Sequence, residues 1–276
     1  MHHQARSLKE KQMRGHFETI SVERRDSDVL LITLDRPEMA NALNTQMGLD
    51  VMELFEGLTI DTEGLRAVVL TGRGTKAFCA GGDLKQRNNM TDEAWQAQHL
   101  IFERMLRAIL ACPIPVIAAV NGATYGGGCE IAAAADFVYA SSDACFALTE
   151  VTLGIMPGAG GTQNLSRAVG ERRAKELILS GLPFTASEAE AWGLVNRVVP
   201  QEHLMEATLA IADRIASNGP IAVRQAKQAI HRGLQMSLAD GLAFEIEAYN
   251  RLIPTEDRRE GVLAFNERRK PNFRGR

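Results

Sequence analysis

Paired cysteines are missing from this chain of 276 residues. Its four cysteines, Cys79, Cys112, Cys129 and Cys145, nowhere stand at C-x-x-C spacing, so zinc and thioredoxin-like redox sites have no support. Unpaired thiols fit a reducing cytosol, and a cytoplasmic protein is expected. A long apolar run is also missing: the longest, around residues 116–120, is far too short to cross a bilayer. The N-terminus, M-H-H-Q-A-R-S-L-K-E-K-Q-M-R-G, has no apolar stretch of the kind a secretory signal carries. Charge of one sign is scarce. A formal net charge of −3 leaves no basic field to hold nucleic acid. None of the six histidines lies in the glycine-rich centre of the chain, and G-x-S-x-G is absent, which argues against a Ser-His-Asp hydrolase. Neither a G-x-G-x-x-G fingerprint with its downstream acid nor a G-K-[ST] phosphate loop occurs. No repeat of solenoid period is visible.

What is present alternates strands with helices to about residue 200 and turns all-helical after it. Residues 1–15 are polar and expected to be poorly ordered. V-L-L-I-T-L (29–34) and R-A-V-V-L-T-G (66–72) read as strands, the second running into a glycine turn. Between them, Met47, Val51, Leu54, Phe55 and Leu58 have the spacing of one helix face. Residues 94–112 read as a helix with Ile101, Met105 and Ile109 on one side, stopped by P-I-P. Three short helices are expected at 162–170, 172–180 and 186–193, then a strand at R-V-V. Amphipathic helices follow at 203–217 and 222–233, separated by the Gly219-Pro220 turn. This predicts an α/β core over 16–200 and a helical C-terminal subdomain over 201–276, whose several apolar faces hint at contact with another subunit.

Two glycine turns stand out. A-G-G-D (80–83) and G-G-G-C-E (126–130) each precede a helix, where backbone N–H groups lack partners and the dipole is positive. Taken singly, both are as readily structural turns, and Asp83 as readily a helix cap. Glu130 and Glu150 are each unremarkable alone, and Cys79 and Cys129 read as small buried residues. Together the parts change meaning. Two turns can supply one N–H apiece to a single carbonyl oxygen, and two carboxylates nearby can move protons on the adjacent carbons. Acid–base chemistry through a thioester enolate requires this set.

K-A-F-C-A-G-G-D-L-K, P-V-I-A-A-V-N-G, G-G-G-C-E, E-V-T-L-G-I-M-P-G-A-G-G-T-Q and T-E-D-R-R-E-G-V-L-A-F together resemble the crotonase superfamily, most closely the enoyl-CoA hydratases, from about Phe17 to the end of the chain. The resemblance implies an α/β crotonase-like spiral of repeated ββα units with a helical C-terminal trimerisation region, assembled as a trimer or a hexamer built from two trimers. It implies an oxyanion hole at the N–H groups of Gly82 and Gly127, and a catalytic pair in Glu130 and Glu150. Ala42, Leu43, Ala80, Gly82, Asp83, Leu84, Lys85 and Gly127 fall where the family holds coenzyme A, and Tyr249 and Arg268 would reach the CoA of a neighbouring subunit. No metal and no cofactor beyond the substrate's own CoA is implied, and no membrane partner. Met90 and Trp95 are expected beside the acyl chain. Two departures are Gly82, which is Ala in many relatives, and Asn164, where Arg is usual.

The expected reaction is syn addition of water to a 2-trans-enoyl-CoA, giving a 3-hydroxyacyl-CoA. I-P-T-E-D-R-R-E-G and G-P-I-A-V-R-Q-A-K-Q-A-I are similar to methylglutaconyl-CoA hydratases, which leaves a branched-chain hydratase open. A Δ3-Δ2-enoyl-CoA isomerase is disfavoured by the glutamate pair. RNA binding, known in the methylglutaconyl subgroup, is disfavoured by the acidic balance.

Overall fold

Strands that are apolar along their whole length, such as A-V-V-L-T-G and V-I-A-A-V, need cover on both faces, and they sit at the centre of a sheet that has it. The computed structural model describes residues 17–276, so the poorly ordered segment expected at 1–15 lies outside the described residues. The larger sheet holds β1 (Ile20–Arg24), β2 (Val29–Leu34), β3 (Ala67–Gly72), β5 (Val116–Val120), β7 (Phe137–Ser141) and β10 (Arg197–Val199), in the order β1-β2-β3-β5-β7-β10. β1 pairs antiparallel with β2, and every other pair is parallel. A smaller sheet, β4-β6-β8-β9, is built from β4 (Ala77–Cys79), β6 (Ala123–Tyr125), β8 (Cys145–Ala147) and β9 (Phe184–Thr185). β3, β5 and β7 each pass to a short strand and then to a helix. β3 and β4 lead to α2 (Leu84–Arg87) and α3 (Asp92–Ala111), and β5 and β6 lead to α4 (Gly127–Ala134). β7 and β8 lead to a 3-10 turn (Glu150–Leu153), then α5 (Gly161–Val169) and α6 (Glu171–Ser180). This is the expected spiral of ββα units.

The side-chain period of two sorts the strands between two cores. Val68, Leu70, Val116, Ala118 and Val120 meet Val51, Leu54 and Phe55 of α1 (Thr45–Ile60). Ala67, Val69, Ile117 and Ala119 face the other way, against Leu204, Ala212 and Ala216 of α8 (Leu204–Ala216). The α1 stripe behaves as its spacing predicts: Met47, Val51, Leu54, Phe55 and Leu58 are all buried. Its start is fixed by Asn44, whose side chain accepts from the Met47 N–H at 2.8 Å. α3 begins two residues earlier than expected. Thr91 caps it, and Asp92 and Glu93 favour its positive end, a polar start with no apolar periodicity to announce it. Met105 and Ile109 are buried as expected, whereas Ile101 is half-buried.

α7 (Ala186–Trp192) precedes β10, and α9 (Pro220–Gly233), α10 (Leu238–Asn250) and α11 (Glu256–Asn266) follow α8. α8 closes the outer face of the sheet. The three helices after it leave Ile230, Leu234, Leu238, Leu242, Ile246, Val262 and Phe265 exposed. No helix among the described residues is long and apolar enough to cross a membrane.

Candidate active site

The turn between β6 and α4 explains its glycines individually. Gly126 has φ 49° and ψ −122°, a backbone a side chain would strain, and a Cβ there would lie 3.2 Å from Glu150 Oε1. Gly128 serves packing: a Cβ would meet the Cys79 carbonyl oxygen at 2.1 Å. The motif's Asn121 is also structural, its amide donating to the Gly72 and Gly74 carbonyls at 2.9 and 2.7 Å and so holding the β3–β4 turn.

This turn places Glu130 in the first turn of α4, 4% exposed. Its Oε1 accepts from the N–H groups of Ala159 and Gly161, both at 2.8 Å. Burial pushes its pKa up to about 7. The Gly161 and Ala159 N–H groups oppose the rise and the neighbouring Glu150 adds to it. Glu150 opens the 3-10 turn, half-buried, and burial raises its pKa as well. Its Oε2 is buried with no hydrogen-bond partner among the described residues. A buried carboxyl oxygen without a protein partner is costly, and one so placed suits a water or a substrate atom.

Both glutamates line one cavity of about 640 Å³, within the range of small-molecule sites. Gly82 and Gly127 line it too, and among the described residues neither N–H has an acceptor in the protein. Leu43, Ala80 and Leu84 complete the expected set that reaches this cavity. Ala42, Asp83 and Lys85 do not line it. Asp83 is committed elsewhere: Oδ1 accepts from the Lys85 and Gln86 N–H groups at 3.1 and 3.2 Å, and Oδ2 pairs with Arg36 at 3.0 Å. Tyr249 on α10 and Arg268 beyond α11 lie outside the cavity within one chain. Trp95, in the first turns of α3, lines it, and Met90, in the segment between α2 and α3 and expected beside it, does not. Cys79 and Cys129 are fully buried, and burial pushes the Cys79 thiol up to about 12 and raises that of Cys129, so neither is a ready thiolate.

Arg87 was missed, because a charged residue in L-K-Q-R reads as the solvated end of a short helix. It lines the cavity half-buried, its guanidinium 4.4 Å from the Trp95 ring centre and 5.4 Å from that of Phe102. Its Nε donates to Gln98 Oε1 at 2.8 Å, and the Gln98 amide is itself fixed by Thr45 Oγ1 and Gln86 Oε1, each at 2.9 Å. Burial lowers the Arg87 pKa, against the pull of Glu130 and Glu150. The available signal was Gln98, a polar residue on the apolar stripe of Phe102, Met105 and Ile109, and it is 2% exposed.

The enoyl-CoA hydratase/isomerase family model matches residues 24–276. The short-chain-enoyl-CoA hydratase of Clostridium acetobutylicum is 43% identical over 246 residues, 89% of this chain and 94% of that one. The mitochondrial enoyl-CoA hydratase of Pongo abelii is 40% identical over 265 residues, 94% of this chain and 89% of its own. The crystal structure of enoyl-CoA hydratase from Bacillus anthracis superposes with a TM-score of 0.92 at 44% identity, covering 94% of this chain and 100% of that chain.

Proposed function

The chain belongs to the enoyl-CoA hydratase/isomerase family and is a hydro-lyase, and we propose that it adds water reversibly and syn to a 2-trans-enoyl-CoA, giving a 3-hydroxyacyl-CoA. One observation carries the proposal: two carboxyl groups held back from ionising meet at one cavity that two unengaged backbone N–H groups also line. In the proposed mechanism the Gly82 and Gly127 N–H groups donate to the thioester oxygen and hold the negative charge that develops there. Glu130, ionised, takes a proton from water as the water oxygen bonds to C3. The C2–C3 π electrons move toward the thioester as an enolate. Glu150, protonated, gives its proton to C2 as the enolate collapses. Glu130 ends protonated and Glu150 ionised, and one proton passed between them restores the pair. A carboxyl with a pKa near 7 is divided between its two forms at neutral pH, which suits acid and base steps in both directions.

CoA would run along Ala42, Leu43, Ala80 and the Asp83-Leu84-Lys85 segment, and no cofactor beyond it enters the reaction. Tyr249 and Arg268 would act from a neighbouring copy, Arg268 on phosphate. The apolar side chains exposed on α9–α11 support a trimer or hexamer, since so many large apolar residues left in water on neighbouring helices suit an association face. The cytoplasm is the proposed compartment. The test is a spectrophotometric screen of 2-enoyl-CoA esters, read as loss of the conjugated-thioester absorbance. Hydration of crotonyl-CoA or a longer or branched homologue is expected. Conversion of 3-enoyl to 2-enoyl esters far faster than any hydration would replace the hydratase with an isomerase.

A further inference from the structure

We infer that Arg87 is the specificity-determining residue of this cavity, and that it selects acyl thioesters whose chain ends in a carboxylate. This selectivity presupposes the proposed CoA-thioester chemistry and names its substrate class. Arg87 is the one Lys or Arg lining the cavity among the described residues; the other ionisable side chains there are Glu130, Glu150 and His99. Its side chain is held from three sides. The Trp95 and Phe102 rings both lie against the guanidinium, and Gln98, anchored in turn by Thr45 and Gln86, fixes Nε. The two terminal nitrogens have no acceptor among the described residues, and Arg87 forms no ion pair with Glu130 or Glu150. The result is a rigid, partly desolvated fork with its outer donors open to the cavity, and a carboxylate accepts from that fork in bidentate fashion. The residue at 82 fits the same purpose. A Cβ at Gly82 would lie 3.2 Å from an outer nitrogen of Arg87, so an alanine there would press on the guanidinium. The smaller residue leaves it room.

A plain alkyl chain suits this wall poorly. It would cover the fork and remove its remaining water without supplying an acceptor, and an unpaired buried cation is costly. A chain ending in carboxylate supplies the acceptor. It also enters a cavity with two glutamates, where the Arg87 cation offsets the repulsion between like charges. The rival role for Arg87 is a counter-charge that tunes Glu130 and Glu150, or a contact to CoA phosphate. Either would act alike on every acyl chain.

Binding separates these roles without turnover. Isothermal titration of the wild type with two saturated, unreactive esters, glutaryl-CoA and butyryl-CoA, should give about 10- to 100-fold tighter binding of glutaryl-CoA, the range of a charge-assisted bidentate pair. Arg87→Met should abolish that preference, and Arg87→Lys should restore part of it, keeping the charge without the fork. Kinetically, the ratio of kcat/KM for the CoA monothioester of 2-hexenedioic acid to that for crotonyl-CoA should fall by a similar factor in Arg87→Met, mainly through KM. Equal affinity of the wild type for glutaryl-CoA and butyryl-CoA overturns the inference even if Arg87→Met fails to fold. So does an equal loss on both esters in the variant. A wild type that prefers glutaryl-CoA yet hydrates no enoyl ester leaves the selectivity standing and refutes the hydratase. One that hydrates crotonyl-CoA and ignores the carboxylate does the reverse.

Discussion

Replacing Glu130 by glutamine should damage catalysis and strengthen the fold at the same time, and the second effect can be sized from the structure. A carboxyl whose pKa lies at about 7 is penalised for ionising, relative to an unfolded chain, by about 3 kcal/mol. The sign follows from the direction of the shift. The folded state favours the protonated form, so the penalty is absent below the usual carboxylate range. It grows as pH rises from there to about 7, and is complete above that. Glutamine never ionises, and its amide oxygen can still accept from Ala159 and Gly161, so those two hydrogen bonds survive. Wild type and Glu130→Gln should therefore be similar in stability at pH 5, with the variant ahead at pH 8 by up to about 3 kcal/mol. In a chain of this size that is on the order of 5–10 °C in Tm. Differential scanning fluorimetry at the two pH values reads the difference, and crotonyl-CoA hydration on the same samples should fall by about 10²–10⁴-fold. A gap that does not widen between pH 5 and pH 8 refutes the assignment of a raised pKa to Glu130. Near-normal hydration in the variant refutes its place in the reaction.

Glu150→Gln should also cut hydration strongly, and the double variant should lose less than the product of the two single effects, because the carboxyls act as a unit; independent effects would contradict the pairing. The acid limb of kcat/KM for hydration should have an apparent pKa near 7 that belongs to the pair, and it should disappear in Glu130→Gln. Gly127→Pro removes one of the two open N–H groups at the first position of α4, where the helix backbone accepts proline, though its Cβ would press on Leu43 at 2.8 Å, and should cost about 10²–10³ or more in rate. Near-normal turnover of that variant in a folded state would remove Gly127 from the oxyanion hole. Light scattering should give a trimer or hexamer, and a stable monomer at micromolar concentration would refute the association face on α9–α11.

Long periodic elements were legible in the sequence because one side of them does one thing. The α1 stripe and the unbroken apolar runs of β3 and β5 fix the architecture before any contact is known. β4, β6 and β8 were hidden, since an alternation of period two cannot register in three residues, and only the resemblance implied a second strand in each unit. The site divides in the same way. Glu130, Glu150 and the glycine turns were visible as a combination, though none of them singly. The Ala159 and Gly161 N–H groups that engage Glu130 were not, because the sequence holds no trace of a hydrogen bond across 29 or 31 residues. Arg87 escaped because its meaning comes from Trp95 and Gln98, which a turn brings back over it.

The covering of the sheet by α8 sets a constraint on how the chain can be made. β2, β3 and β5 are complete once residue 120 has been synthesised, and their inner face can close at once on α1. The outer face, with Val69, Ile117 and Ala119, has no cover until residues 204–216 have left the ribosome. At about 5–20 residues per second, the last 84 to 96 residues before that point leave a greasy surface open for several seconds or more. A chain cut short near residue 200 would keep it open for good, so the nascent protein is most in need of a chaperone just when its sequence already looks complete enough to fold.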